Sequence, residues 1–301
     1  MTSLIISRTI ACIVLLSSFI GYSQSSLQSA SKTKTDTTKV APEERLNPWQ
    51  QASGEVLLSP YVSSYTATSY RTDRGERVSF ADNGKYSNYN PRLFIAAPLF
   101  GEHVNVVASL PYFSAQFEDE NSTSSNADFG DIEVGLKFHI AKLKNNYLMA
   151  SITSYFPAYT NTSTPFVGYD LFALESRVIF SGTSTWLGEY NNFHKIEVGL
   201  RYFFPEDPIQ FRFLLSEGYN ITTKVKVLGE VEGMFSNSGR EAFFENNLQA
   251  VADFSVVKAS FNLGYEFSDT FSWYVGVFHD VYNNNAAIGY GFQTFAVLRL
   301  R

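Results

Sequence analysis

The chain is 301 residues long, carries a formal net charge of −6 at pH 7, and contains 27 Phe and 18 Tyr. Its mean hydropathy of −0.10 is far too low for a protein built from membrane-spanning helices, each of which needs about 20 consecutive apolar residues. The acidic balance argues against nucleic-acid binding, and the single cysteine, Cys12, excludes a disulfide framework and a cysteine-rich metal site.

The first 24 residues, 1–24, have the features of a cleaved secretory signal peptide. Arg8 supplies positive charge, and residues 9–21 form a largely apolar core that is too short to span a membrane as a helix. Cys12 lies too early in this core for a lipoprotein anchor, which is a minor alternative. Residues 25–51 are rich in Ser, Thr, Lys and Gln without periodicity, so we expect a disordered periplasmic lead-in.

From residue 52 onward the sequence is a succession of predicted β-strands. The clearest are 131–140 (DIEVGLKFHI) and 195–204 (KIEVGLRYFF), in which apolar residues occupy every second position. Such alternation gives a strand one apolar and one polar face. Because the polar face carries acidic and basic residues at mid-strand, it favours a membrane barrel with its charges in the lumen over a soluble sandwich.

We predict an all-β fold, a closed antiparallel transmembrane β-barrel of about 12 strands over residues 52–301. The predicted strands are 54–70, 89–99, 104–117, 130–141, 147–159, 169–181, 193–204, 209–219, 224–235, 248–267, 271–282 and 288–301. An even number is the rule for bacterial barrels and places both chain ends on the periplasmic side. The stretches 183–192 and 246–257 could each hide or lose a strand. Predicted connections include a tight turn at 101–102 and a PEDP turn at 205–208.

The alternation also predicts which charged side chains point into the lumen. The candidate lumen-lining residues are Arg92, Glu133, Lys137, Glu175, Arg177, Glu197, Arg201, Arg212, Lys226, Glu230, Glu232, Glu266 and Arg299. Isolated charges in a narrow lumen are costly, so the near-balance of bases and acids suggests paired ladders. The set fits either a polar permeation path with little net ion preference or a salt-bridged interior that only holds the barrel together.

Other chemical signals in the sequence are weak. The four histidines lack metal-ligand spacing, and the chain has neither a phosphate-binding glycine loop nor a nucleophile elbow. We therefore expect no cofactor and no catalytic site, with an outer-membrane lipase as a minor alternative. The acidic segment 118–128 is predicted to be a solvated loop, and calcium binding there is a lesser alternative.

The run 130–138 (GDIEVGLKF), which ends a predicted loop and opens a strand, resembles a pattern of the outer-membrane transporters linked to the phenol meta-cleavage degradation pathway. The signal peptide, the chain length and the closing strand after 283–285 are also similar. The resemblance covers about residues 54–301. It implies an outer-membrane barrel channel and carries over no site residues.

The sequence thus predicts a bacterial outer-membrane protein that acts as a passive channel for small solutes, with aromatic or hydrophobic compounds among the candidates. Its expected partners are outer-membrane lipids, the solutes and the barrel assembly machinery, although the chain ends FAVLRLR rather than in the aromatic residue that this machinery usually reads. The alternative is a closed barrel that serves structure or surface interaction through loops such as 71–85 and 118–128.

Overall fold

The computed structural model of the chain describes residues 54–100, 103–184, 192–205, 208–238 and 252–300. The predicted signal peptide at 1–24, the lead-in at 25–51 and the turn at 101–102 lie outside these residues. The PEDP turn and the two ambiguous stretches, 183–192 and 246–257, are described only in part.

The described residues are mostly in β-strands, as the alternating sequence predicts. The strands are β1 (Val56–Arg71), β2 (Arg77–Ser79), β3 (Lys85–Phe100), β4 (Val104–Glu118), β5 (Thr123–Phe129), β6 (Asp131–Leu143), β7 (Asn146–Pro157), β8 (Phe172–Ser184), β9 (Asn192–Phe204), β10 (Ile209–Asn220), β11 (Val225–Asn237), β12 (Phe254–Ser268), β13 (Phe271–Asn284) and β14 (Ala286–Leu300). The helical content of the described ranges is one 3₁₀ turn at Ala81–Asn83, and none of these ranges holds a helix long and apolar enough to cross a membrane.

Long strands close into one 12-stranded antiparallel barrel, which confirms the predicted fold. Strands that follow one another pair with each other, and β14 returns to pair with β1, so that Phe295 lies opposite Tyr61. The two short strands, β2 and β5, pair only with the ends of β1 and β4. We call the end at which β1 begins and β14 stops the terminal end, and the opposite end the loop end.

One predicted loop is largely a β-hairpin. The prediction of a loop over 118–128 is wrong for residues 123–128, because Thr123–Phe129 forms β5 and pairs with the last residues of β4. The sequence pattern does not reveal β5 because nearly all of its side chains are polar or small, so neither face is apolar. Gly130 separates β5 from β6, and its N–H donates to the carbonyl oxygen of Pro111 at 2.9 Å. The hairpin therefore extends the barrel wall at the loop end.

Side chains alternate between the outer and inner faces of the barrel strands. On β9, Ile196, Val198 and Leu200 are 41–56% exposed, whereas Glu197 and Arg201 between them are each 9% exposed. An apolar outer face of this kind is unfavourable in water, because the free energy falls when apolar surface is removed from water. It matches the lipid-facing band of a membrane barrel.

An apolar cluster covers the interior at the loop end. Phe80, between β2 and the 3₁₀ turn, is 3% exposed and stacks on Tyr70 with ring centroids 5.9 Å apart. Tyr159 and Val167, from the connection between β7 and β8, join the same buried cluster, which also includes the inward-facing Tyr86 of β3. Both connections therefore contribute side chains to the interior and narrow it at this end.

Candidate functional site

A cavity of about 540 Å³ lies inside the barrel, and its lining residues come from the loop-end halves of the strands. Seven of the candidate lumen residues line it, namely Arg92, Glu133, Arg177, Glu197, Arg201, Arg212 and Glu232. Aromatic side chains, among them Tyr65, Phe113, Tyr155 and Phe278, complete the wall. We call this cavity the charged chamber.

An ion-pair network occupies the chamber wall formed by β8, β9 and β10. Glu175 is fully buried and receives guanidinium contacts from Arg177, from Arg201 at 2.7 Å and from Arg212 at 3.4 Å. Arg177 also binds Glu197 at 2.8 Å. Because every carboxylate in this network is in contact with at least one cation, the cost of burying its charge is offset by pairing.

Strand register explains why the arginines converge. Arg201 lies opposite Glu175 across the β8–β9 ladder, whereas Gly199 lies opposite Arg177 on one side and Arg212 on the other. A Cβ atom on Gly199 would fall 2.7 Å from Cγ of Arg177, closer than real Cβ contacts allow. The missing side chain therefore leaves room for two long guanidinium groups on the same stretch of wall.

Aromatic rings hold two of the arginines. The guanidinium of Arg201 lies 3.5 Å from the ring centroid of Tyr155, whose hydroxyl donates to Glu175 at 3.1 Å. The guanidinium of Arg92, on β3, lies 4.8 Å from the ring centroid of Tyr61. Such cation–π contacts restrict the side chain while the charge stays available to a ligand.

The other predicted lumen residues lie outside the chamber lining. Lys226 pairs with Glu266, and Arg299 lies 3.7 Å from Glu55, which places both pairs near the terminal end. Glu230 accepts a hydrogen bond from the hydroxyl of Ser216 at 3.3 Å.

Lys137, the remaining candidate, lies opposite Asn105 and Ser151, both of which are buried. Its side chain therefore belongs to the inner face, although it is not part of the chamber lining.

Three charged residues of the chamber are missing from the sequence prediction. Asp131, Lys258 and Asp280 also line it. Asp280 continues the inward alternation of Tyr274 and Phe278, so the sequence pattern itself indicates its inward position. Lys258 was hidden because the start of its strand could not be located from the pattern. Asp131 is the first residue of β6 and the second residue of the predicted strand 130–141, where the alternation has only just started.

Apolar side chains cluster in the interior on the terminal side of the chamber. Its buried members are Leu57, Ala96, Phe193, Leu228, Tyr274, Phe295 and Val297, with Tyr61, Phe94 and Val107 packed against them. None of these side chains lines the chamber. We call this set the inner apolar layer, and the alternation of the sequence does not predict it. Within the described residues it lies between the chamber lining and the terminal end.

The connection between β7 and β8 contributes Tyr169 to one side of the chamber. Tyr169 lines it and contacts the ring of Phe203 edge-on at 4.9 Å. Burial raises the pKa of Tyr169 to about 12, and burial together with the nearby Asp131 carboxylate raises the pKa of Tyr159 above its usual range. Both phenols are therefore neutral hydrogen-bonding groups at physiological pH.

The turn after β4 gives the acidic side chain there a structural role. Asp119 accepts hydrogen bonds from the backbone N–H groups of Asn121 at 2.8 Å and Ser122 at 2.6 Å. The bond from Asn121 is the main cause that lowers the pKa of Asp119. Among the described residues, no group of three or more His, Cys, Asp or Glu side chains is arranged to hold a metal ion.

No protein-family model and no curated protein sequence matches the chain. In three dimensions it is similar to an outer-membrane channel from Pseudomonas putida F1, with a TM-score of 0.64 and 11% identity over 87% of this chain and 100% of that one. It is also similar to the transport unit of the autotransporter AIDA-I from Escherichia coli, with a TM-score of 0.51 and 8% identity over 86% and 93% of the two chains. It is similar to the NanC porin as well, with a TM-score of 0.50 and 12% identity over 81% of this chain and 100% of the porin. At such identities the likeness concerns the fold alone, that of an outer-membrane β-barrel.

Proposed function

We propose that this chain is a channel of the bacterial outer membrane that admits small solutes to the charged chamber. The observation that carries the proposal is the combination of an apolar outer face with a charged cavity of about 540 Å³ inside one closed barrel. An apolar exterior suits lipid, and a polar interior is what a solute would need in order to leave water. Export would use the signal peptide predicted at 1–24.

Two of the fold neighbours are transport proteins by description, which supports the channel proposal. One is described as an outer-membrane channel and another as a porin, and both share the fold of this chain. The finer assignment, to transporters linked to the phenol meta-cleavage pathway, is supported by the run 130–138. In it, Gly130 marks the break between β5 and β6, at the point where the wall passes from hairpin to barrel.

The inner apolar layer favours a second candidate function. Apolar side chains that fill a lumen exclude water and ions, since such constrictions close channels by dewetting. A barrel closed in this way would serve structure or surface interaction through its loop end. In the channel proposal, the same layer is a constriction that opens when solute passes.

Liposome swelling and planar-bilayer recordings with the purified protein test the two candidates. A channel gives single-channel steps and swelling in small solutes. A protein that is folded, as shown by its β-rich circular dichroism, and yet silent in both assays, even after the inner apolar layer has been trimmed, would contradict the channel.

A further inference from the structure

Arg92 is the arginine of the chamber lining that forms no ion pair among the described residues. Its side chain is exposed to the chamber, and among the described residues it makes neither an ion pair nor a hydrogen bond. Its one contact of note is the cation–π contact with Tyr61, which holds the guanidinium without neutralising it. A guanidinium presents a planar fork of donors that matches a carboxylate, so an exposed and unpaired one is a ready anion site.

The strand order places a second cationic surface across from Arg92. Five barrel strands separate β3 from β10 on either route around the closed sheet, so Arg92 and Arg212 approach the chamber from opposite walls. Both lie close enough to Glu232 to interact with it electrostatically. The gap between these two strands is therefore bordered by guanidinium groups on two sides.

On the wall of β8 to β10, two of the cations, Arg177 and Arg212, are more exposed to the chamber than the carboxylates are. The side chains of Arg177 and Arg212 are 28% and 30% exposed, whereas that of Glu175 is fully buried and that of Glu197 is 12% exposed. A solute at this wall therefore meets the guanidinium groups of Arg177 and Arg212 before the carboxylates. Glu175 shows in addition that this cluster already accommodates one carboxylate among three guanidinium groups.

The other carboxylates of the chamber are already engaged. Glu232 pairs with Lys258. Asp280 accepts hydrogen bonds from the hydroxyl of Tyr65 at 2.7 Å and from the N–H of Gly289 at 2.9 Å.

Two acidic side chains on β6, Asp131 and Glu133, lie within electrostatic reach of Arg201. Glu175, Glu197 and Glu232 are thus paired with cations, and Asp280 is held by hydrogen-bond donors. Among the guanidinium groups of the lining, Arg92 is therefore the one that no ion pair within the described residues engages.

We propose that the charged chamber binds small organic carboxylates, with the carboxylate group held between Arg92 and the guanidinium groups of Arg177 and Arg212. The rings of Phe113 and Phe278, which line the same cavity, would contact the body of the solute. This inference rests on the proposed function, because it names the class of solute that the proposed channel would admit.

Calorimetric titration of the purified, detergent-solubilised protein with benzoate, benzyl alcohol and benzylamine tests the site, because these probes share one ring and differ in charge. We expect benzoate to bind about tenfold tighter than benzyl alcohol, as one charge-assisted contact would provide, and benzylamine to bind weakest. Arg92→Gln should weaken benzoate binding by roughly tenfold, and Arg92→Lys should restore part of it. The matched control is Arg74→Gln, which removes an exposed arginine from the loop after β1 and should leave binding unchanged.

Equal binding of the three probes, or unchanged benzoate affinity in Arg92→Gln, would overturn the carboxylate site. Inorganic phosphate binding as tightly as benzoate would overturn the assignment to carboxylates. Because binding is measured in detergent, it does not depend on conduction. Conduction of potassium chloride without benzoate binding would contradict this site but not the channel function. Benzoate binding by a barrel that never conducts would contradict the channel function but not this site.

Discussion

Gly218 on β10 lies opposite Phe193 on β9, and a Cβ atom on this glycine would fall 1.9 Å from two carbons of the Phe193 ring. The ring therefore occupies the space that a side chain at position 218 would need. Leu228 on β11 lies opposite Gly218 on its other side, so the glycine lets Phe193 and Leu228 join the inner apolar layer across the intervening strand.

Replacing Gly218 with alanine should destabilise the barrel, because the added methyl group forces the Phe193 ring out of its place. Overpacking of this kind typically costs about 1–3 kcal/mol in free energy of unfolding. Gly229→Ala is the matched control, since a methyl group added there would have its nearest neighbouring atom 3.9 Å away. Urea unfolding in detergent, followed by circular dichroism, compares the two variants. Equal losses would show that the ring can move aside freely.

Trimming the inner apolar layer should open the lumen. Phe295 is 6% exposed and stacks on Tyr274 with ring centroids 4.7 Å apart. Phe295→Ala removes that ring from the layer and should raise single-channel conductance in planar bilayers, because a wider and less apolar constriction is easier to wet. Phe292→Ala, on the outer face of the same strand and 55% exposed, should leave conductance as it is. If conductance does not change in Phe295→Ala, the layer is not the constriction.

A charge on the outer face should impair assembly. Leu200 is 56% exposed on the outside of β9, where arginine at the bilayer midplane costs roughly 2–4 kcal/mol. Leu200→Arg should therefore lower the yield of heat-modifiable protein in outer-membrane fractions, whereas Leu200→Met should assemble normally. Normal assembly of the arginine variant would mean that this face does not meet lipid.

The period-two pattern is enough to predict the barrel and the inward direction of Glu197 and Arg201. A register shift of one residue would turn every side chain of a strand to the opposite face, so the pattern fixes which face is which. It could not predict the inner apolar layer. Phe193 and Tyr274 occupy inward positions that the pattern reserves for polar groups, and only the closed sheet shows that their rings meet residues distant in sequence. The partners of Glu175 were equally hidden, since its contact with Arg212 spans two ladders of the sheet.

The packing of Tyr169 against the barrel should weaken at alkaline pH. Burial raises the pKa of this phenol from 10.0 to about 12, so the packed state holds its proton more tightly than the unpacked state does. The stabilisation by the neutral phenol is full below pH 10.0 and is lost as the pH rises to about 12. The difference in thermal stability between the wild-type protein and Tyr169→Phe should therefore change within this window and not below it. A constant difference across the window would contradict the assignment.

Removing the carboxylate of Glu175 should make the channel more selective for anions. Glu175→Gln keeps the shape of the side chain but leaves Arg177, Arg201 and Arg212 without their common counter-charge. Breaking a buried ion pair costs roughly 3–5 kcal/mol, so some loss of stability is expected as well. The reversal potential in a potassium chloride gradient measures selectivity in the folded fraction that inserts into bilayers, and it should shift toward the chloride potential. Asp73→Asn, at an exposed position in the loop after β1, removes one negative charge away from the chamber and should give the wild-type reversal potential. An unchanged potential in Glu175→Gln would mean that ions do not pass along the wall of β8 to β10.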